Sequence, residues 1–282
     1  MQARTHLLII DPQNDFCDLP ANYLPQTSDG SITSPALPVS GAHQDMLRIA
    51  RLIDGLSGQL DAISVTLDSH HYIDIAHPGF WQTSDGGVVS AFTEISLTQF
   101  RSGQYVPRDP AAAARVEEYL EKLEAAGRYR LMVWPVHCEI GTWGHNVHAD
   151  VRAAYNRWEQ SNQKTVEKVY KGSNPWTEHY SAMMAEVPDR RDAHTLFNQA
   201  LFDRLKAYDT VLICGEASSH CVKATTEHIV QHWNPQSLSQ LVLLSDCMSP
   251  VGGFESAAES FIEEMRARGV RVLTSAEALQ AT

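Results

Sequence analysis

Short, unbroken apolar runs recur along the chain, each closed by residues that cannot continue a strand. The first is Thr5-His6-Leu7-Leu8-Ile9-Ile10, closed by Asp11-Pro12. Others are Asp61 to Leu67, Arg130 to Trp134, Val211 to Cys214, Leu241 to Leu244 and Val270 to Leu273. Runs this short, without alternation, predict strands buried on both faces, as in a parallel sheet. Lys164 to Tyr170 alternates instead and predicts one more strand. Helical spacing fills the intervals. His43 to Leu56 puts Met46, Ile49, Leu52, Ile53 and Leu56 on one stripe. Ala111 to Ala126 is built from strong helix formers and ends at Gly127. Val147 to Asn162, His194 to Tyr208, a helix opening near Ser219 with a hydroxyl as its cap, and Phe254 to Arg268 complete the set. Alternating strands and helices imply an α/β fold: right-handed crossovers and a mostly parallel sheet with helices on both faces.

Two stretches break the alternation. Residues 18–40 carry four prolines and read as an irregular loop, while 78–109 show no period and read as a long excursion over the site. With no repeat or linker in view, the expected organisation is one domain, 1–282, with insertions near 18–40 and 76–110. Apolar residues make up 43% and charged residues 20%, an ordinary globular composition. The net charge of −12 argues against nucleic acid or an anionic membrane as a partner. No run reaches the length of a membrane span, and the N-terminus leads directly into a strand rather than a signal peptide. Five scattered cysteines (17, 138, 214, 221, 247) form no disulfide framework. A cytoplasmic protein follows as the expectation. Its expected partners are a small-molecule substrate and, at most, further copies of the same chain.

Chemistry-bearing residues collect where strands end. Asp11 closes the first run, Asp68 and His70 follow the second, and His137 lies just past Arg130 to Trp134. Lys171 follows the alternating strand, and Cys221 follows Val211 to Cys214 at the first turn of a helix. Parallel strands bring their carboxyl ends to one edge, so these groups can converge although remote in sequence. A helix N-terminus favours thiolate, which makes Cys221 a candidate nucleophile, whereas Cys214 inside its run reads as a structural thiol. Asp11 can take the thiol proton and Lys171 can supply positive charge. The N–H groups of Ala217 and Cys221 are candidate oxyanion donors. Asp68, His70 and His137 make an open divalent-metal set of two imidazoles and one carboxylate. His77 is an alternative to His137, and His71 a weaker one.

Five segments carry a resemblance. They are Asp11-Pro-Gln-Asn-Asp-Phe-Cys17, Asp68-Ser-His70, Trp134-Pro-Val-His137-Cys-Glu-Ile-Gly-Thr142, Tyr170-Lys171-Gly172 and Gly215-Glu-Ala-Ser-Ser-His-Cys221-Val222. In this order, across nearly the whole chain, they resemble the nicotinamidase branch of the isochorismatase-like cysteine hydrolases. The resemblance implies a three-layer α/β/α sandwich around a mostly parallel six-stranded sheet. It implies a catalytic triad of Asp11, Lys171 and Cys221, and an oxyanion hole at Ala217 and Cys221 beside a cis peptide between Glu216 and Ala217. It implies one divalent metal ion, zinc first and iron or manganese next, on Asp68, His70 and His137. Phe16 and Trp134 match the aromatic positions that line the substrate pocket.

The activity this implies is hydrolysis of nicotinamide to nicotinate and ammonia, a step of NAD salvage in pyridine nucleotide biosynthesis. An alternative keeps the thiol chemistry and changes the substrate to another small amide, or to a ureido or carbamoyl compound. A third reading is a catalytically silent chain that binds a ligand through its long loops. It predicts an unreactive thiol.

Overall fold

All but one of the unbroken apolar runs assemble into a single sheet, and the alternating segment joins it at an edge. The computed structural model describes residues 3–281. Along the chain lie β1 (Thr5–Ile10), α1 (Ala42–Gly55), β2 (Leu60–Asp68), β3 (Trp81–Thr83), β4 (Thr93–Ile95), α2 (Leu97–Arg101) and β5 (Tyr105–Pro107). Then follow α3 (Ala113–Ala126), β6 (Leu131–Val133), α4 (Ala149–Asn162), β7 (Glu167–Lys171), α5 (Gln199–Lys206) and β8 (Thr210–Gly215). The last are α6 (Cys221–His232), β9 (Leu241–Leu244), α7 (Glu255–Arg268), β10 (Arg271–Leu273) and α8 (Ser275–Ala281).

The main sheet has six strands in the order β10-β9-β8-β1-β2-β7, and every pairing in it is parallel. Leu7, Leu8, Ile9 and Ile10 of the central strand β1 are wholly buried, as a strand covered on both faces requires. Met46, Ile49, Leu52 and Ile53 give α1 its buried stripe, each contributing roughly 1.5–3 kcal/mol by leaving water. The chain runs from β1 to β2 in one direction across the sheet and from β8 through β9 to β10 in the other. Right-handed crossovers then place α1 and α6 on opposite faces. The reversal between β1 and β8 is a topological switch point, where open α/β sheets form a crevice beyond their carboxyl ends. Register holds those ends level: Ile10 pairs with Gly215, and Asp68 with Lys171.

Three expectations are corrected. The run Arg130 to Trp134 forms β6, but β6 pairs antiparallel with β4 outside the main sheet. His137 therefore reaches the site by a route other than a parallel strand. The excursion 78–109 is not featureless. It carries β3, β4, α2 and β5, and with α3 it closes a second apolar core around Trp81, Val116 and Leu120. Strands of three residues are too short to show a period. The helix expected over 194–208 shrinks to α5, because Leu196 is extended and the Asn198 side chain caps the later start. Elsewhere element ends shift by one to three residues. All five cysteines are free and buried, and no helix among the described residues is long and apolar enough to cross a membrane.

Candidate active site

Asp11, Lys171 and Cys221 meet at the switch point. Asp11 leaves β1 with φ of +43°, a turn that sends its carboxylate across the end of the neighbouring strand. Thr66 of β2 donates its hydroxyl to Asp11 Oδ1 at 2.6 Å and accepts the Asp11 N–H at 3.0 Å. Lys171 Nζ lies 2.9 Å from Asp11 Oδ2, 3.0 Å from Asp68 Oδ1 and 3.7 Å from Cys221 Sγ. It also donates to the carbonyl of His179 at 2.9 Å. One ammonium thus stands between two carboxylates and a thiol, all buried.

Burial opposes the charge on Lys171, but Asp11 and Asp68 hold its ammonium well above the usual lysine range. Burial raises the Asp11 carboxyl against the pull of Lys171, leaving a more basic carboxylate than an exposed one. At Cys221 burial pushes the thiol well above its ordinary value, and Lys171 pulls it down only in part. Burial therefore works against the thiolate that the helix N-terminus favours. It favours the protonated sulfur, and Lys171 Nζ is the polar group placed against it, at 3.7 Å.

The corner before α6 is tightly constrained. A Cβ on Gly215 would stand 2.0 Å from the Ile10 carbonyl oxygen, and its φ is +116°, so only glycine fits there. The peptide between Glu216 and Ala217 is cis, as the resemblance implies. Ser218 N–H donates to the Ser249 carbonyl, while His220 and Val222 N–H donate to the Ala217 carbonyl. The N–H groups of Ala217 and Cys221 have no backbone partner among the described residues, which leaves both open to an oxyanion. His220, not Ser219, precedes the helix, and no side chain caps it. The Ser219 hydroxyl instead bonds His220 Nδ1 and accepts Val251 N–H.

Beside the triad stands a cluster of imidazoles. His70, His77 and His137 each offer a ring nitrogen within 4.8 Å of one another. Asp68 Oδ2 lies 3.1 Å from His70 Nε2 and 3.4 Å from His137 Nε2, so the expected carboxylate and imidazoles do converge. His77 joins them, its Nε2 3.4 Å from His137 Nδ1, whereas exposed His71 contributes its backbone carbonyl to His77. Every ring in the cluster is tethered through Nδ1: His70 to Asp74, His77 to the His71 carbonyl, and His137 to the Pro135 carbonyl. Such outer acceptors fix the tautomer and turn Nε2 inward, which suits a divalent ion. The three imidazoles fit a divalent ion, and the Asp68 carboxylate lies against two of them, His70 and His137.

The pocket over Cys221 is walled by Phe16, Trp134, His137, Tyr180, Ala217 and His220, among others, so both expected aromatic residues line it. It is narrow, with room for about one water-sized molecule, roughly 20 Å³. Several residues in the site escaped sequence reasoning. Gln13 grips both the N–H and the carbonyl of Asp68 at 2.8 Å, and Asp15 accepts Cys138 N–H at 2.7 Å, holding the His137 segment. Their place inside the Asp11–Cys17 motif was the available signal. Glu178 gave none: it lines the pocket with Oε2 buried and unpartnered.

No protein-family model matches the chain, and no curated protein matches it by sequence. Solved structures do match. A nicotinamidase and pyrazinamidase of Acinetobacter baumanii superposes with a TM-score of 0.62 at 20% identity, covering 98% of each chain. A zinc-bound pyrazinamidase of Pyrococcus horikoshii gives 0.53 at 18% identity, over 96% of this chain and 99% of that one. An isochorismatase-like hydrolase of Alkaliphilus metalliredigens gives 0.52 at 15% identity, over 99% of both. The chain has the isochorismatase-like fold. Within that fold the Asp11–Lys171–Cys221 corner lies at the switch point, and the imidazole cluster lies at its rim.

Proposed function

We propose that this chain is a cysteine amidohydrolase that converts nicotinamide to nicotinate and ammonia. The observation that carries the proposal is Lys171 Nζ within reach of Asp11, Asp68 and Cys221 at once, in a buried corner beside an imidazole cluster. Asp11 accepts the Cys221 proton as Sγ bonds the carboxamide carbon. The C=O electron pair moves to oxygen, which the N–H groups of Ala217 and Cys221 hold. When the pair returns, the C–N bond breaks and the departing nitrogen takes the proton from Asp11, leaving as ammonia. The acyl group then sits on Cys221 as a thioester. Water attacks it while Asp11 takes a water proton. The C–S bond breaks, the proton returns to sulfur, and the acid is released. Lys171 keeps its ammonium against both the Asp11 carboxylate and the sulfur as negative charge passes between them.

Asp68, His70 and His137, with His77, would hold the divalent ion, zinc foremost as in the Pyrococcus horikoshii protein. Its chemistry when bound is Lewis acidity that orients a pyridine ring and draws electron density from the carbonyl. The residues of this chain set the rest: Phe16 and Trp134, which line the pocket over Cys221, would part to flank the ring, and Gln13 fixes Asp68.

A second reading, another small amide or a ureido or carbamoyl compound, is favoured by Glu178, whose free Oε2 suits a second substrate N–H. Ammonia release from a panel of amides separates the two. Nicotinamide preferred by at least about tenfold in kcat/KM supports the first. A ureido acid preferred over nicotinamide refutes it in favour of the second.

A further inference from the structure

Behind the oxyanion corner lies a buried acidic bridge that the mechanism does not use. Glu216 is wholly buried, and its Oε2 accepts Ser249 N–H at 3.1 Å. Ser249 Oγ donates to Asp45 Oδ2 at 2.5 Å, and Asp45, on α1, is buried as well. Ser249 thus joins the two carboxyls, its N–H to Glu216 and its hydroxyl to Asp45, while Glu216 Oε1 is buried with no hydrogen-bond partner. The cation in this group is Arg48, on the far oxygen of Asp45 at 2.9 Å. Burial, then Asp45, holds the Glu216 carboxyl well above the usual range.

The bridge meets the corner from below. Ser249 accepts Ser218 N–H at 2.9 Å, Glu216 N–H donates to the Ile10 carbonyl at 2.8 Å, and Gly215 N–H donates to the Cys247 carbonyl at 2.9 Å. The backbone that presents the Ala217 and Cys221 N–H groups is thus bound to β1 and to the loop after β9. The Glu216 side chain carries it on to α1. We infer that Glu216 is a positioning residue: through Ser249 and Asp45 it fixes the Ala217–Cys221 donors at the distance an oxyanion needs. This rests on the amidohydrolase reading of the same site.

The test compares variants of the full-length protein in ammonia release and in alkylation of Cys221 by iodoacetamide, a reaction that forms no oxyanion. Glu216→Ala is expected to lower kcat by about 10- to 100-fold with KM within about twofold, and to leave the alkylation rate unchanged. Glu216→Gln, which keeps a side-chain oxygen to accept Ser249 N–H, stays within about threefold of wild type. Combining Glu216→Ala with Asp45→Ala costs no more than the worse single change, since both break one bridge. Wild-type kcat in Glu216→Ala, a Gln variant as slow as the Ala variant, or alkylation falling in step with kcat would each overturn the inference. Should Glu216→Ala not fold, Ser249→Ala removes only the hydroxyl link. It is expected to lower kcat about three- to tenfold with KM unmoved, and an unchanged kcat refutes the bridge. A wild-type protein with neither ammonia release from any amide nor a reactive Cys221 would overturn the amidohydrolase reading, and this inference with it.

Discussion

The two halves of the candidate site are built differently. Asp11, Lys171 and Cys221 stand at the ends of β1, β7 and β8, where strand register brings them together. His70, His77 and His137 stand on connections that leave the sheet, and are aimed by tethers at Asp74 and two backbone carbonyls. Asp68 belongs to both, with one oxygen toward Lys171 and the other toward the imidazoles. The sheet half has little freedom to adjust. The loop half can be tuned through residues that never touch substrate.

That contrast orders the expected effects. Cys221→Ala should lower ammonia release by at least about 10³-fold while far-UV circular dichroism and melting stay as in wild type. Residual turnover near the wild-type rate would place the nucleophile elsewhere. Lys171→Met leaves Asp11 and Asp68 buried without their shared cation, so it should cost about 3–5 kcal/mol in denaturant unfolding as well as activity. A Lys171→Met protein of wild-type stability would contradict the charge balance of the sheet half. In the loop half, Asp74→Asn should weaken zinc binding about 10- to 100-fold in competition with a chromophoric chelator, with Cys221 alkylation unchanged. Equal zinc affinity would show that the tether does not aim His70.

Outside both halves, in the loop beside α5, the expected effect is on stability alone. Burial pushes the Glu186 carboxyl up to about 7, against Arg128 at 3.7 Å. Folded Glu186 therefore binds its proton more tightly than the unfolded chain does. Its contribution is complete below pH ~4.5 and is lost as pH rises toward 7, by up to about 3 kcal/mol. Urea unfolding across that window should show the decline in wild type and not in Glu186→Gln. Identical slopes would remove Glu186 as its source.

The sheet half was legible because an apolar run followed by Asp, or by Gly and small polar residues, marks both a strand and its end. The Asp11–Lys171–Cys221 meeting follows from those ends once the strands are parallel. The loop half was legible only as candidates. His77 is seven residues beyond His70 in an irregular stretch, and only the fold brings its ring against His137. The partner of β6 was hidden because three residues can pair in either direction. The helix position, Asp11 and Lys171 around Cys221 were legible, while the burial that pushes its thiol up is a property of the whole assembly. Glu178 and Glu216 look like surface charges in the sequence for the same reason.

The most direct test of the sheet half is to quench the enzyme during turnover of nicotinamide and map the adduct by peptide mass spectrometry. The account predicts a nicotinoyl group on the peptide bearing Cys221, absent from Cys221→Ala and no longer accumulating in Asp11→Asn. An adduct on another residue, or steady ammonia release with Cys221 unmodified and unreactive toward alkylation, would contradict it.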